Sequence, residues 1–213
     1  MASACVQQGD LERAFECCNE VLALAPIPYD IAMARAIRGY GEIKAGRVDA
    51  GMAELREAAE WFENAHLRHT HLRLDLWLAE GHLSEGDRVS ARPLIEEVLR
   101  VSRETGYVYF EGLACWLMGE CLAAEAPTAA AEWAESAISI LERIDARNDL
   151  AKVMVTRAAL LQKDGDVVRS RQLLERAAAI FRALGTRDEP ARIKRALAAL
   201  DRGSQIGLLA REK

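Results

Sequence analysis

The chain has 213 residues, 51% hydrophobic but only 6% aromatic, with 28 Lys and Arg against 33 Asp and Glu for a net charge of −5. That is enough apolar material for one large core or one elongated array, and the acidic balance argues against a general nucleic-acid binder. The opening MASACVQQGD lacks a basic run followed by an apolar one, so no signal peptide is read. The most apolar long stretch is broken by Glu120 and Glu125, which excludes a membrane span there.

Taken in chain order, the predicted elements alternate in pairs. QGDLERAFECCNEVLALAP reads as a helix opened by Gly9 and Asp10, and eight residues precede that glycine. A half-length first helix leaves a face uncovered, so the first repeat is read as truncated and the chain as a piece of a longer protein. IAMARAIRGYGEIKAG and AGRVDAGMAELREAAEWFE form the next pair. HLRLDLWLAEGHLSEG follows with EGDRVSARPLIEEVLRVS, whose Pro93 is tolerable close to the first turn and kinks the helix otherwise. YFEGLACWLMGECLAAEA pairs with EAPTAAAEWAESAISILE, and here EAPT replaces Gly-Asp, which predicts a turn one residue different. LAKVMVTRAALLQKDG and DGDVVRSRQLLERAAAIF make the last pair, and EPARIKRALAALDR starts a final helix behind Pro190. Apolar residues recur at three- and four-residue steps, and no segment alternates with period two, so no sheet is expected.

Three marks share one period. Glycines open four of the second helices, at Gly9, Gly46, Gly86 and Gly165. A small residue stands at Ala14, Gly51, Ala91, Ala130 and Ser170, at spacings of 37, 40, 39 and 40. Seven residues further on come Val21, Ala58, Val98, Ala137 and Ala177 at the same spacings. Each mark has a physical role. Glycine takes the left-handed conformation that ends a helix. Asp10, Asp87 and Asp166 can cap the next helix. The small residue one turn later lets the two helices of a pair approach closely. At Gly51 that closeness must outweigh a helix penalty of about 1 kcal/mol.

The Gly-Asp turn, the paired small residues and Pro26 after the first full helix resemble the tetratricopeptide repeat, over about residues 8 to 200. The period here is longer than the family's usual repeat of about 34 residues. The long second helices resemble the variant repeats of large signalling ATPases, cyclase-associated proteins and transcriptional regulators. The resemblance implies an all-α fold, an α-solenoid of about five antiparallel helix pairs in a right-handed superhelix with a C-terminal capping helix. Residues 1–203 would form the repeat domain and 204–213 a tail.

The resemblance also implies where function sits, since such stacks bind ligands on the concave face lined by first helices. Helical phase places Tyr40, Lys44, Arg73, Leu76, Glu80, Trp116, Glu120, Lys152 and Val155 near that groove, with Trp116 as an aromatic anchor. Trp77 and Trp116 occupy similar strings, LWLAEGHL and CWLMGECL, and recurrence at equal phase favours structural packing for at least one of them. The family's clamp for C-terminal carboxylates needs groove asparagines. Asn64 and Asn148 fall in predicted turns, which argues against that mode.

Catalytic and metal chemistry find no support. His66, His69 and His71 straddle a predicted turn without a matching carboxylate or cysteine, and His82 stands further on. No phosphate loop, nucleophile elbow or zinc-protease string is present. The five cysteines have no metal-ligand spacing and read as free thiols in a reducing cytoplasm. Charge is uneven: from Arg169 onward there are 11 basic and 5 acidic residues, leaving −5 − 6 = −11 for the rest. The basic end can meet an acidic partner, RNA, or the acidic part of a second copy head to tail. The sequence therefore points to a non-enzymatic, cytoplasmic module without cofactor. It would bind a protein or peptide segment in its groove as part of a larger signalling or regulatory protein. The alternative is a ligand-sensing domain that takes a small molecule there.

Overall fold

Helices start and stop where the repeat marks fall. The computed structural model describes residues 1–24, 27–187, 189, 191 and 193–200. Its helices are α1 (Ala2–Gln8), α2 (Leu11–Leu24), α3 (Pro28–Lys44), α4 (Val48–Asn64), α5 (Arg68–Ser84), α6 (Arg88–Thr105), α7 (Val108–Leu122), α8 (Pro127–Arg143), α9 (Arg147–Lys163) and α10 (Val167–Leu184). Residues 193–200 are again helical, and no strand occurs among the described residues. Each helix packs chiefly on its chain neighbours, and α3, α5, α7 and α9 also touch in succession. The fold is thus an all-α solenoid of stacked helix pairs. The start of the final helix at Pro190 and the tail 204–213 lie outside the described residues.

The turns follow local chemistry. Gly46, Gly86 and Gly165 sit at φ of 83°, 79° and 84°, the left-handed region that costs glycine nothing. Asp87 accepts a hydrogen bond from the Ser90 backbone N–H, and Asp166 from that of Arg169, both at 3.0 Å. The EAPT turn is one residue longer than these, spanning 123–126, and Pro127 begins α8. A second series of left-handed turns joins successive pairs: His66, Gly106, Asp145 and Gly185, with φ of 56°, 74°, 53° and 70°. It has the same period, but two of its members are not glycine, so the sequence hides it.

Close approach explains the small residues. A Cβ on Gly51 would lie 2.4 Å from the carbonyl oxygen of Gly39, and one on Gly39 would lie 2.8 Å from that of Gly51. At the equivalent place in the last pair, the Ser170 hydroxyl donates to the Ala158 carbonyl at 2.8 Å. Ala14, Ala91 and Ala130 are buried at their helix contacts, as are Ala58, Val98, Ala137 and Ala177. Val21 departs from the series and is 39% exposed. The seven-residue α1 covers only part of the fourteen-residue α2. Pro93 lies inside α6 without ending it. The hydrogen bond that proline cannot donate would have gone to the carbonyl of Val89, a residue that is 85% exposed. Asn64 and Asn148 lie within helix ends, Asn64 closing α4 and Asn148 second in α9, rather than in turns.

Two apolar clusters meet at α5. Leu74, Trp77 and Leu78 pack toward α3 and α4, while Leu72, Leu76 and Ala79 join the larger cluster that runs on through α7 and α9. Helices α5, α7 and α9 are therefore covered on most sides. Ile193 and Leu200 extend the larger cluster beyond α10, which gives 193–200 the capping position expected of a terminal helix.

The ends of the stack come together. The Arg187 backbone N–H donates to the Gln8 carbonyl at 2.9 Å, and the Arg187 guanidinium pairs with Asp10 at 2.8 Å. The turn after α1 thereby meets the turn after α10, and the concave face becomes a bounded cleft rather than an open trough.

Candidate functional site

The polar side chains that α3, α5, α7 and α9 retain point into this cleft, whose volume is about 490 Å³. Tyr40 and Lys44 come from α3, Glu80 from α5, Trp116 and Glu120 from α7, and Lys152 and Val155 from α9. Arg73 and Leu76 line an adjoining recess with Tyr40, Glu80, Trp116 and Lys152. All nine residues selected by helical phase thus lie on one connected face.

Their roles differ. Leu76 is buried and serves the core. Trp116, read from the sequence as an anchor, is only 7% exposed. Its indole N–H is already used, donating to Thr156 at 2.9 Å and to Glu120 at 3.2 Å. It forms wall rather than an offered ring face. Trp77 is likewise structural, stacked on Tyr40 with centroids 4.6 Å apart and planes 10° from parallel.

Hydrogen bonds run along the cleft from repeat to repeat. The Tyr40 hydroxyl donates to both Glu80 oxygens at 3.1 Å, and Lys44 closes on the same carboxylate. The Tyr109 hydroxyl donates to Asp149 at 2.9 Å, and Lys152 reaches Asp149 at 3.2 Å. Thr156 donates to Glu120 at 2.8 Å. The bonds Tyr40–Glu80, Tyr109–Asp149 and Trp116–Thr156 each span 40 residues, one repeat. That period is legible in the sequence, yet no single-residue signal marks Tyr109, Asp149 or Thr156. Arg73 spreads its charge over Trp77, Tyr109 and Phe110, 5.9, 5.7 and 5.3 Å from the ring centroids.

Burial shapes the electrostatics. It pushes the Tyr40 hydroxyl pKa far up, and the neighbouring Glu80 charge adds to this, so Tyr40 stays a neutral donor. Burial also pushes the Glu120 carboxyl upward, against the Thr156 hydrogen bond that holds it down, and Glu80 adds to the rise. Arg88, Thr186, Glu189 and Arg195 add to the lining from α6 and the C-terminal segment, and Val6, Gln7, Gly9 and Leu11 add to it from the α1–α2 end, again beyond what the repeat marks reveal.

The other features are structural. The His66–His71 stretch crosses the 65–67 turn into α5. His69 packs edge-on against Phe110, and His71 faces Asp75 at 3.5 Å. Among the described residues no group of His, Cys, Asp and Glu could hold a metal, and no helix is long and apolar enough to cross a membrane. All five cysteines are free thiols.

The fold and cleft define the class as a helical-repeat solenoid, and comparison with solved structures gives the same class. The chain is similar to RapI in its apo form, with a TM-score of 0.62 and 13% identity over 91% of this chain and 77% of that one. It is also similar to BtubC from P. vanneervenii, with a TM-score of 0.64 and 20% identity over 93% of this chain and 83% of that one. At such identities the likeness carries the fold alone. No family model and no curated protein matches the chain.

Proposed function

We propose that this chain is a non-enzymatic interaction module of tetratricopeptide type that holds a short protein segment in its central cleft. The observation that carries the reading is convergence: four successive first helices each send polar side chains into one bounded cavity. Such a cavity, with a few directed polar groups on aromatic walls, is the usual form of a recognition site. Its volume suits a short segment or a side chain, not a folded domain. The free thiols fit a cytoplasmic setting.

A second reading has its own support. The junction of Arg187 with Gln8 and Asp10 bounds the cleft, and a bounded cleft also suits a small-molecule sensor.

Affinity capture from the source cell extract separates the two, with the purified chain also denatured to release any bound small molecule. The module reading expects a protein or peptide retained by the wild type, lost on Lys152→Glu and kept by Val168→Asp, a change at an exposed residue outside the cleft. A small molecule released from the wild type, with nothing retained from extract, would move the assignment to the sensor.

A further inference from the structure

Most charges that α3, α5, α7 and α9 send to the concave face are compensated on the spot. Lys44 pairs with Glu80, and Lys152 pairs with Asp149. Arg73 rests over three aromatic rings. Glu120 has no ion pair of its own among the described residues, and only Lys44, already engaged with Glu80, acts on its charge from further off. Its hydrogen-bond donors are the neutral Thr156 hydroxyl and Trp116 indole, and both reach the same oxygen, Oε1. No Lys, Arg or His among the described residues comes within ion-pair distance of it. A carboxylate has about four acceptor positions, and Oε2 receives no hydrogen bond from a described residue. Glu120 is thus a half-buried carboxylate lining a cavity of about 490 Å³, with one oxygen oriented by two donors and the other facing the cavity without a hydrogen bond from a described residue.

We infer that Glu120 is the receptor for a positively charged group, a primary amine or guanidinium, on the ligand that enters the cleft. The inference rests on the binding-module reading and names the chemistry of the bound segment: a lysine or arginine side chain.

The physical case is one of compensation. A carboxylate withdrawn from bulk water is less favourable until a cation joins it, and partial burial accordingly raises the Glu120 pKa. An incoming ammonium or guanidinium supplies charged donors to Oε2, and charge-assisted hydrogen bonds are the strong class. Thr156 and Trp116 already hold Oε1, so the carboxylate is oriented before the ligand arrives. The rival is an anionic ligand, because Arg88 and Arg195 line the same cleft.

The test uses the immobilised full chain and four pools of N-acetylated, C-amidated pentapeptides. The central residue is fixed as Lys, Arg, norleucine or Glu, and the flanking residues are random. Retained peptides are counted by mass spectrometry on the wild type and on Glu120→Gln, which keeps an acceptor for Thr156 and Trp116. We expect the Lys or Arg pool to be enriched about tenfold over norleucine on the wild type, and the preference to vanish on Glu120→Gln. Equal retention of norleucine would overturn the cation assignment while leaving segment binding intact. Preference for Glu would overturn it in favour of Arg88 and Arg195. A basic preference that survives Glu120→Gln would remove Glu120 as the receptor. Retention of no pool would overturn both this inference and the module reading. The comparison among pools on the wild type needs no variant, so a poorly folded Glu120→Gln would not rescue the idea.

Discussion

Arg187 and Gln8 are joined by a backbone hydrogen bond of 2.9 Å, and the same arginine pairs with Asp10. Stacked helix pairs need no such contact, since each layer is satisfied by its neighbours. Its presence turns a curved stack into a bounded cleft.

The closure is held by few groups, so it should be separable from stability. The Arg187 side chain is 65% exposed, and an ion pair of that kind contributes at most about 1 kcal/mol. Arg187→Glu places like charges on the two ends. We predict a broader and longer distance distribution between spin labels at positions 3 and 182, measured by pulsed electron paramagnetic resonance. The thermal midpoint should move little. An unchanged distribution would show that the ends are held by packing instead.

Gly51→Ala should destabilise the fold by about 2–3 kcal/mol. The new Cβ would lie 2.4 Å from a backbone oxygen and 2.7 Å from Ile43 Cγ1, so α3 and α4 must separate. Gly46→Ala meets open space and is penalised only by its φ of 83°, for about 1–2 kcal/mol. Urea titration of the two variants should rank them in that order. The reverse ranking would mean that turn conformation, not helix approach, dominates the pair.

Asp75 should make stability depend on pH. Burial pushes its carboxyl up to about 6 from an ordinary 3.8. The facing His71 lowers it, and Glu97 and Glu63 raise it further. An acid whose pKa is higher folded than unfolded binds more protons in the folded state between those values. Stability therefore falls as pH rises from about 4 to about 6, by at most about 3 kcal/mol. Asp75→Asn removes this component. Urea midpoints at pH 4.5 and pH 7 should show the variant gaining on the wild type at the higher pH. A constant difference would refute the assignment.

The thiols should differ sharply in reactivity. Burial pushes Cys18 and Cys115 up to about 11, while Cys5 and Cys121 are also buried. Cys17 alone keeps partial exposure. Brief alkylation of the native chain, followed by peptide mapping, should label Cys17 first and leave the other four for the unfolded state. Early labelling of Cys115 would mean that the α7 layer opens readily.

Much of this was legible because repeat proteins write local rules many times over. Gly-Asp, a small residue five positions later and another seven beyond it each act within one helix pair, through turn geometry and helix separation. Helices, pairing, the absence of strands among the described residues and the concave set from Tyr40 to Val155 follow from those rules. The second turn series was hidden, because His66 and Asp145 adopt at φ of 56° and 53° what glycine adopts elsewhere. Partners one repeat apart, such as Trp116 and Thr156, were implicit in the period but carried no composition signal.

What tertiary structure alone decided is closure and which charges find ion-pair partners. No local rule brings Arg187 to Gln8, because that contact depends on curvature summed over every layer of the stack. No local rule separates Glu80, which pairs with Lys44, from Glu120, whose hydrogen-bond donors among the described residues are Thr156 and Trp116. Both are glutamates at the same helical phase, and their difference lies in which neighbour the stacking sets beside each.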